Sequence, residues 1–262
     1  MAISKVIFGS RTLIDLSSST VTPETLGEGV KAFNAKGELI IGTMKAQPST
    51  VSVRLNGAPG EVITYSGGAL GDVTLNSSGT ATVDIPKGNY TFASGISGYS
   101  KSATVSSNQI IDVFPAGAIY WYGREIYSFS AAQQQAGVGL LTKNANYMRF
   151  FYNGASNSTQ RAAAILTDSI LDLTGYTSLN FVTQTETQGS NCYSGVFNTR
   201  AVTYSTFQNS SCFAAKSSLL NYAGKSEYSV NISSVNSGFV GTGIAEYNKN
   251  DRYVQIHAIW ME

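Results

Sequence analysis

The chain has 262 residues, a formal net charge of +1 and only 13% charged residues. Its lysines and arginines are scattered singly, so no basic stripe could follow a phosphate backbone, which excludes a nucleic-acid partner. No apolar stretch approaches the roughly 20 residues that a membrane span requires, which excludes helical membrane insertion; the length suits two or three small domains.

Gly (26) and Tyr (15), together with abundant Ser, Thr and Asn, describe turn-rich β structure with a neutral polar surface. The first ten residues, MAISKVIFGS, hold one lysine and a three-residue apolar run. That is short of the roughly 7 to 15 apolar residues of a secretory signal, so synthesis in the cytoplasm and release by lysis or within a particle are expected.

In chain order, Lys5 to Phe8 and Leu13 to Leu16 read as short strands. Thr22-Pro23-Glu24 places a capping hydroxyl before a proline at the first helical position, predicting about a turn and a half of helix that Gly27 and Gly29 stop. Val30 to Phe33 and Glu38 to Ile41 flank Asn34-Ala35-Lys36-Gly37, a hairpin turn in which glycine supplies the positive φ. This small β-helix-hairpin unit, residues 1–46, is about the size below which a chain rarely buries enough apolar surface to fold unaided. Leu13, Ile14, Leu16, Leu26, Phe33, Leu39 and Ile41 are its expected docking residues.

The run Thr12 to Leu16, then Val21-Thr22-Pro23, Leu26, Gly29 and Ala35 to Thr43, resembles a cassette at the N-termini of tail and appendage proteins from phages and prophages of Gram-positive bacteria. The resemblance implies a virion-attachment segment, other virion structural proteins as partners, and a homo-oligomer, a trimer above all.

Met44 to Pro48 breaks the pattern and marks a boundary. Residues 47–116 then carry alternating runs about every ten residues with glycine punctuation, which predicts a small β-sandwich. The segment Asn76 to Phe92, sharpest at Ile85-Pro86-Lys87-Gly88-Asn89-Tyr90, resembles immunoglobulin-like modules of the carboxypeptidase-regulatory type. That resemblance implies a spacer.

Residues 117–262 open on the aromatic cluster Ile119 to Gly123 and continue with strands at Tyr147 to Tyr152, Ala163 to Leu166, Ser178 to Val182, Val196 through Tyr204, Tyr228 to Ile232, Gly238 to Ile244 and Tyr253 to Trp260. Their spacing suits a jelly roll. Ile170 to Leu179, Val230 to Val235 and Val254 to Glu262 resemble galactose-binding-like jelly rolls of phage appendages. The fold class expected is mainly β throughout.

Catalytic chemistry finds little support. His257 is the only histidine, lies within the last strand and cannot build a metal cluster, so no metal and no cofactor are expected. Asp168 with Asp172, and Glu246 with Asp251, are the carboxylate pairs a glycosidase would need, yet each falls in a strand-start or turn motif. Cys192 and Cys212 could form a disulfide or remain free, and cytoplasmic synthesis favours free thiols.

Binding fits better, because polar loops on a β scaffold supply amides, hydroxyls and rings. Gln188, Asn191 and Tyr193 form one candidate set, Phe207, Asn209 and Phe213 a second, and Tyr247, Asn248 and Arg252 a third. Trp121, Tyr122 and Trp260 are assigned to packing or a subunit interface. The expected whole is a non-enzymatic virion protein, docked by its N-terminus and binding a host-surface glycan or protein. The alternatives are a capsid or tail decoration and a glycan-degrading appendage.

Overall fold

The structure is a computed structural model that describes residues 4–45, 49–133, 140–152, 160–185, 191–218, 224–247 and 252–262. It is mainly β, as expected, and divides into two compact units, Met1–Thr50 and Val51–Glu262. Among the described residues no helix is long and apolar enough to cross a membrane.

In the first unit, β1 (Lys5–Phe8) pairs antiparallel with β2 (Arg11–Asp15), and Lys5 and Asp15 are bridged at 3.1 Å. The expected helix is a single 3-10 turn, Pro23–Thr25. It ends early because Leu26 turns extended and its carbonyl accepts the Met44 N–H at 3.0 Å, which commits the next residues to pairing. The hairpin of β3 (Lys31–Phe33) and β4 (Leu39–Ile41) closes as its sequence predicts. Asn34 Oδ1 accepts the N–H groups of Lys36 and Glu38 at 2.9 and 3.0 Å, and Gly37 takes φ +75°. Leu13, Ile14, Phe33, Leu39 and Ile41 are exposed, and Leu16 and Leu26 half-buried.

The second unit contains two β-sandwiches. In the first, β5 (Thr50–Asn56), β8 (Thr80–Pro86) and β11 (Gln109–Asp112) form one sheet. The facing sheet holds β6 (Val62–Gly67), β7 (Gly71–Thr74), β9 (Gly88–Ser94) and β10 (Ser100–Val105). Val53, Leu55, Ile63 and Phe92 fill the core between them. Lys87 carries the chain from one sheet to the other, and the Tyr90 hydroxyl donates to the Pro86 carbonyl at 2.9 Å, closing the corner anticipated from sequence. Glu61 is buried here: it accepts the Ala58 N–H at 2.6 Å and the Ser94 hydroxyl at 2.5 Å.

The second sandwich packs a seven-stranded sheet on a six-stranded one. The first comprises β12 (Ala118–Trp121), β13 (Arg124–Glu125), β15 (Leu140–Lys143), β16 (Met148–Tyr152), β19 (Ser178–Thr185), β22 (Lys225–Asn231) and β24 (Arg252–Met261). The other comprises β14 (Phe129–Gln133), β17 (Gln160–Thr167), β18 (Leu171–Asp172), β20 (Asn191–Phe197), β21 (Phe213–Ser218) and β23 (Ser237–Tyr247). Phe150, Phe181 and Ile256 from one sheet meet Ile165, Val196 and Val240 from the other in one core. Tyr228 joins the sheets by polar contact as well, donating to Ser194 Oγ at 2.7 Å, which lies 2.6 Å from Thr242 Oγ1.

A strand running from Val196 through Tyr204 is not observed. β20 ends at Phe197, and Tyr204 opens the helix α1 (Tyr204–Gln208). Reciprocal capping causes this: Thr203 Oγ1 accepts the Thr206 N–H at 3.0 Å, and Thr206 Oγ1 accepts the Thr203 N–H at 2.9 Å. Cys192 lies in the core between the sheets and Cys212 in a separate cluster beside α1; both are buried, and the two are not joined by a disulfide.

Candidate functional site

The outer face of the seven-stranded sheet is where the second sandwich meets the first, and two irregularities shape it. Strict alternation would point Ile119 and Trp121 the same way. A register shift between Ala118 and Tyr120 against β24 instead lets Ile119 and Tyr120 both enter the core and sends Trp121 outward. On β24, Ile256 pairs with Thr183 and Ala258 with Val182, so His257 is an extra residue without a partner in β19. It lies where the opposite edge of β24 changes partner, from β16 to β12.

Pairing then sets Trp121, Ala258, Val182 and Glu227 in one row across four strands. The adjoining row is Ala118, Trp260, Asn180 and Ser229. Ala258 leaves space beside two indoles, whose centroids are 5.9 Å apart at 79°. Tyr99, from the β9–β10 loop of the first sandwich, meets Trp121 edge-on at 5.8 Å.

These groups line a cleft of about 570 Å³ between the sandwiches, with Ser97 to Tyr99 and Pro115 to Gly117 on one side and Trp121, Tyr122, Tyr176, Glu227, Trp260 and Glu262 on the other. That volume falls within the range of small-ligand sites. Trp121, Tyr122 and Trp260 are 4%, 7% and 8% exposed, so they present edges, while Tyr99 and Tyr176 are half-buried and keep ring surface available. The Trp260 Nε1–H donates to Glu262 Oε1 at 2.9 Å, whereas Trp121 Nε1 is buried with no hydrogen-bond partner. Outside the cleft, Arg124 ties the two sandwiches: its Nη1 donates to the carbonyls of Ser78 and Gly79 at 3.2 and 2.9 Å.

Tyr122 and Gly123 connect β12 to β13 with φ of +42° and +96°, both residues in the left-handed region of a two-residue hairpin turn. Left-handed geometry costs a bulky residue about 1–2 kcal/mol, and such strain concentrates at ligand sites. Burial and the charge of Glu227 push the Tyr122 hydroxyl pKa up. Beneath the turn, His257 packs against Tyr122 and Tyr147 with ring centroids at 6.0 and 5.5 Å, and neither ring nitrogen has a hydrogen bond within geometric limits. Burial, then the charge of Lys225, lower its pKa to about 4 against a weaker opposing pull from the Asn146 backbone. His257 is therefore neutral near pH 7.

Three of the residues singled out from sequence do come together elsewhere. Tyr193, Phe207 and Phe213 have pairwise centroid distances of 5.4, 5.8 and 5.1 Å. They form a small core under α1 rather than an open platform. Phe207 is wholly buried, and the Lys216 ammonium lies 3.7 Å from the Tyr193 centroid and 5.0 Å from that of Phe213. Phe207 thus offers a ligand no surface; its apolar burial anchors the helix. Asn209 is exposed and accepts the Ser211 N–H at 3.0 Å in the turn after α1. Gln188 and Asn248 lie outside the described residues, and of Asn191, Tyr247 and Arg252 only the backbone is described, at the ends of β20, β23 and β24.

Of the proposed carboxylate pairs, Asp168 accepts the Ser130 hydroxyl and lies 3.6 Å from Arg200, and exposed Asp172 accepts the Thr174 N–H at 2.9 Å. Both serve turns. Asp251 lies outside the described residues, and only the backbone of Glu246 is described. Among the described residues no group of three or more His, Cys, Asp or Glu could hold a metal ion.

Trp121, Tyr122 and Trp260, assigned from sequence to packing or a subunit interface, are buried in one apolar cluster, and the cleft that opens beside them has no signature in the spacing of residues. The usable signal was the aromatic density from Tyr120 to Tyr122 ahead of a glycine.

No protein-family model and no curated protein matches the sequence. Solved structures similar to this chain include a carbohydrate-binding module of the β-sandwich superfamily, at 10% identity and TM-score 0.39, covering 83% of this chain and 98% of that one. A mutant family 29 carbohydrate-binding module matches at 10% identity and TM-score 0.34, covering 55% of this chain and 89% of its own. Another family 29 module matches at 10% and 0.32, covering 55% and 86%. Scores this low bear neither on ligand nor on site.

Proposed function

We propose that the chain is a non-enzymatic appendage protein of a virus particle that binds a host-surface glycan in the cleft between its two sandwiches. The observation that carries the reading is the cleft itself. Half-exposed Tyr99 and Tyr176 supply ring surface for the C–H face of a sugar, and Glu227 and Glu262 supply acceptors for its hydroxyls. The structural engagement of Asp168 and Asp172 supports a binding role over glycan cleavage. The attachment role of the N-terminal unit is supported by its resemblance, from Thr12 to Thr43, to virion-attachment cassettes.

Calorimetric titration of the full chain with fragments of host cell-wall polysaccharide tests this. Saturable binding is expected, weakened about tenfold or more by Tyr99→Ala and by Tyr176→Ala, in line with the roughly 1.4 kcal/mol per decade of affinity. Absence of binding to any host envelope glycan, or binding indifferent to both substitutions, overturns the cleft assignment. Release of reducing sugar overturns the non-enzymatic part. Immunogold electron microscopy of particles that left them unlabelled would overturn the virion part.

A further inference from the structure

Glu61 is a buried carboxyl whose bonding partners are all neutral: the Ala58 N–H at 2.6 Å, the Ser94 hydroxyl at 2.5 Å and the Ile96 N–H. Burying a carboxyl is unfavourable in itself, so its place here calls for a role that an apolar side chain could not fill. All three donors belong to the first-sandwich wall of the cleft. Ala58 and Ile96 pack in the apolar cluster of Trp121 and Trp260, and Ser94 opens the loop that ends at Tyr99.

Within that loop the hydroxyls run in sequence. Ser97 Oγ donates to Ser94 Oγ at 2.8 Å, and the Tyr99 N–H donates to Ser97 Oγ at 3.1 Å. The Ser97 N–H also donates to Ser94 Oγ at 3.1 Å, and the Ser94 N–H to the Tyr99 carbonyl at 2.8 Å. An ionised carboxyl can only accept, so Ser94 must donate to Glu61, and Ser97 to Ser94. The relay therefore has one direction, and it ends at Tyr99, whose ring meets Trp121 at 5.8 Å. Ser97 lines the cleft with its hydroxyl proton turned inward, which leaves a ligand an acceptor only.

We propose that Glu61 is a positioning residue of the cleft: through Ser94 and Ser97 its carboxyl holds Tyr99 against Trp121 and sets Ser97 Oγ to accept from a ligand hydroxyl. The ligand half deepens the glycan reading and rests on it, while the hold on Tyr99 can be measured without a ligand.

Acrylamide quenching of the full chain, below its unfolding transition, reads that hold, because Trp121 and Trp260 are the only tryptophans and both line the cleft. Ser94→Ala cuts the relay and should lose the shielding that the parent gives its tryptophans. Glu61→Ala should lose it as well, and Glu61→Gln should restore it, since the amide oxygen accepts from Ala58 and the amide nitrogen bonds Ser94 Oγ. Parental shielding in folded Ser94→Ala or Glu61→Ala overturns the proposal. A Glu61→Gln chain as unshielded as Glu61→Ala overturns it too, because bonding by the side chain would then not be what holds the loop. Titration with cell-wall polysaccharide fragments should show Ser94→Ala binding about tenfold more weakly, a loss of roughly 1.4 kcal/mol. Saturable parental binding that Ser94→Ala leaves unchanged overturns the positioning role alone. No binding by the parent overturns the glycan reading, and with it the acceptor role of Ser97, but not the hold on Tyr99.

Discussion

The backbone N–H of Tyr122 donates to the carbonyl of His257 at 2.6 Å, and the two rings lie 6.0 Å apart. The bond joins a strained turn to a bulged residue, two features that are each unfavourable alone. Together they hold Trp121 and Tyr122 at the floor of the cleft, and this arrangement makes stability there depend on pH.

His257 has a folded-state pKa of about 4, below its ordinary 6.5, so the unfolded chain binds the extra proton first. The stabilisation is complete above about pH 6.5 and is lost as pH falls toward 4. Its full size is about 3 kcal/mol, from roughly 1.4 kcal/mol per pKa unit. Urea titrations at stepped pH should show this decline in the parent and a flatter profile in His257→Asn.

Glu61 works in the opposite direction. Burial raises its pKa above 4.5, against the bonds from Ser94, Ala58 and Ile96, so the folded chain holds the proton longer. Stability therefore falls as pH rises from about 4.5 through the folded-state value. Glu61→Gln should gain on the parent across that interval, as read from the difference in urea midpoints. Glu61→Ala should lose about 2–3 kcal/mol at every pH, because the Ala58 N–H is left buried without an acceptor.

Gly123 cannot take a side chain. A Cβ there would stand 1.8 Å from the Ala145 carbonyl oxygen at φ +96°. Gly175 also has a positive φ, +87°, but faces open space. Gly123→Ala should cost about 3 kcal/mol or more and Gly175→Ala about 1 kcal/mol, measured by chemical denaturation. Equal effects would contradict the tight packing of the Tyr122–Gly123 turn.

Arg124 ties the sandwiches through the Ser78 and Gly79 carbonyls and stacks 5.5 Å from the Phe114 ring centroid. Arg124→Met keeps much of the apolar stem and removes the donors. Thermal unfolding of this variant is expected to begin several degrees lower, and its glycan affinity to fall although Arg124 does not line the cleft. Unchanged affinity would show that the cleft keeps its shape without this tie.

Local signals carried much of the fold. The hairpin at Asn34 to Gly37 was legible because an amide side chain and a glycine specify that turn, and the Pro86 to Tyr90 corner because a fixed proline φ and a tyrosine hydroxyl close it. Runs of aromatic and β-branched residues located β16, β19, β22 and β24, because such side chains favour a pleated, packed surface. That signal failed at Thr203 to Thr206, where capping hydroxyls ended a presumed strand in a helix and turned Phe207 from a loop residue into core.

By itself, then, the sequence determined a mainly β chain, its turn chemistry and an N-terminal stretch too small to cover its own apolar residues. Only the tertiary structure decided the site. The Ala118–Tyr120 shift and the unpaired His257 each interrupt the two-residue repeat, so which face Trp121 and Ala258 occupy follows from long-range pairing with β12, β16 and β19. Packing of the first sandwich against that face then turned a row of aromatic residues into a cleft.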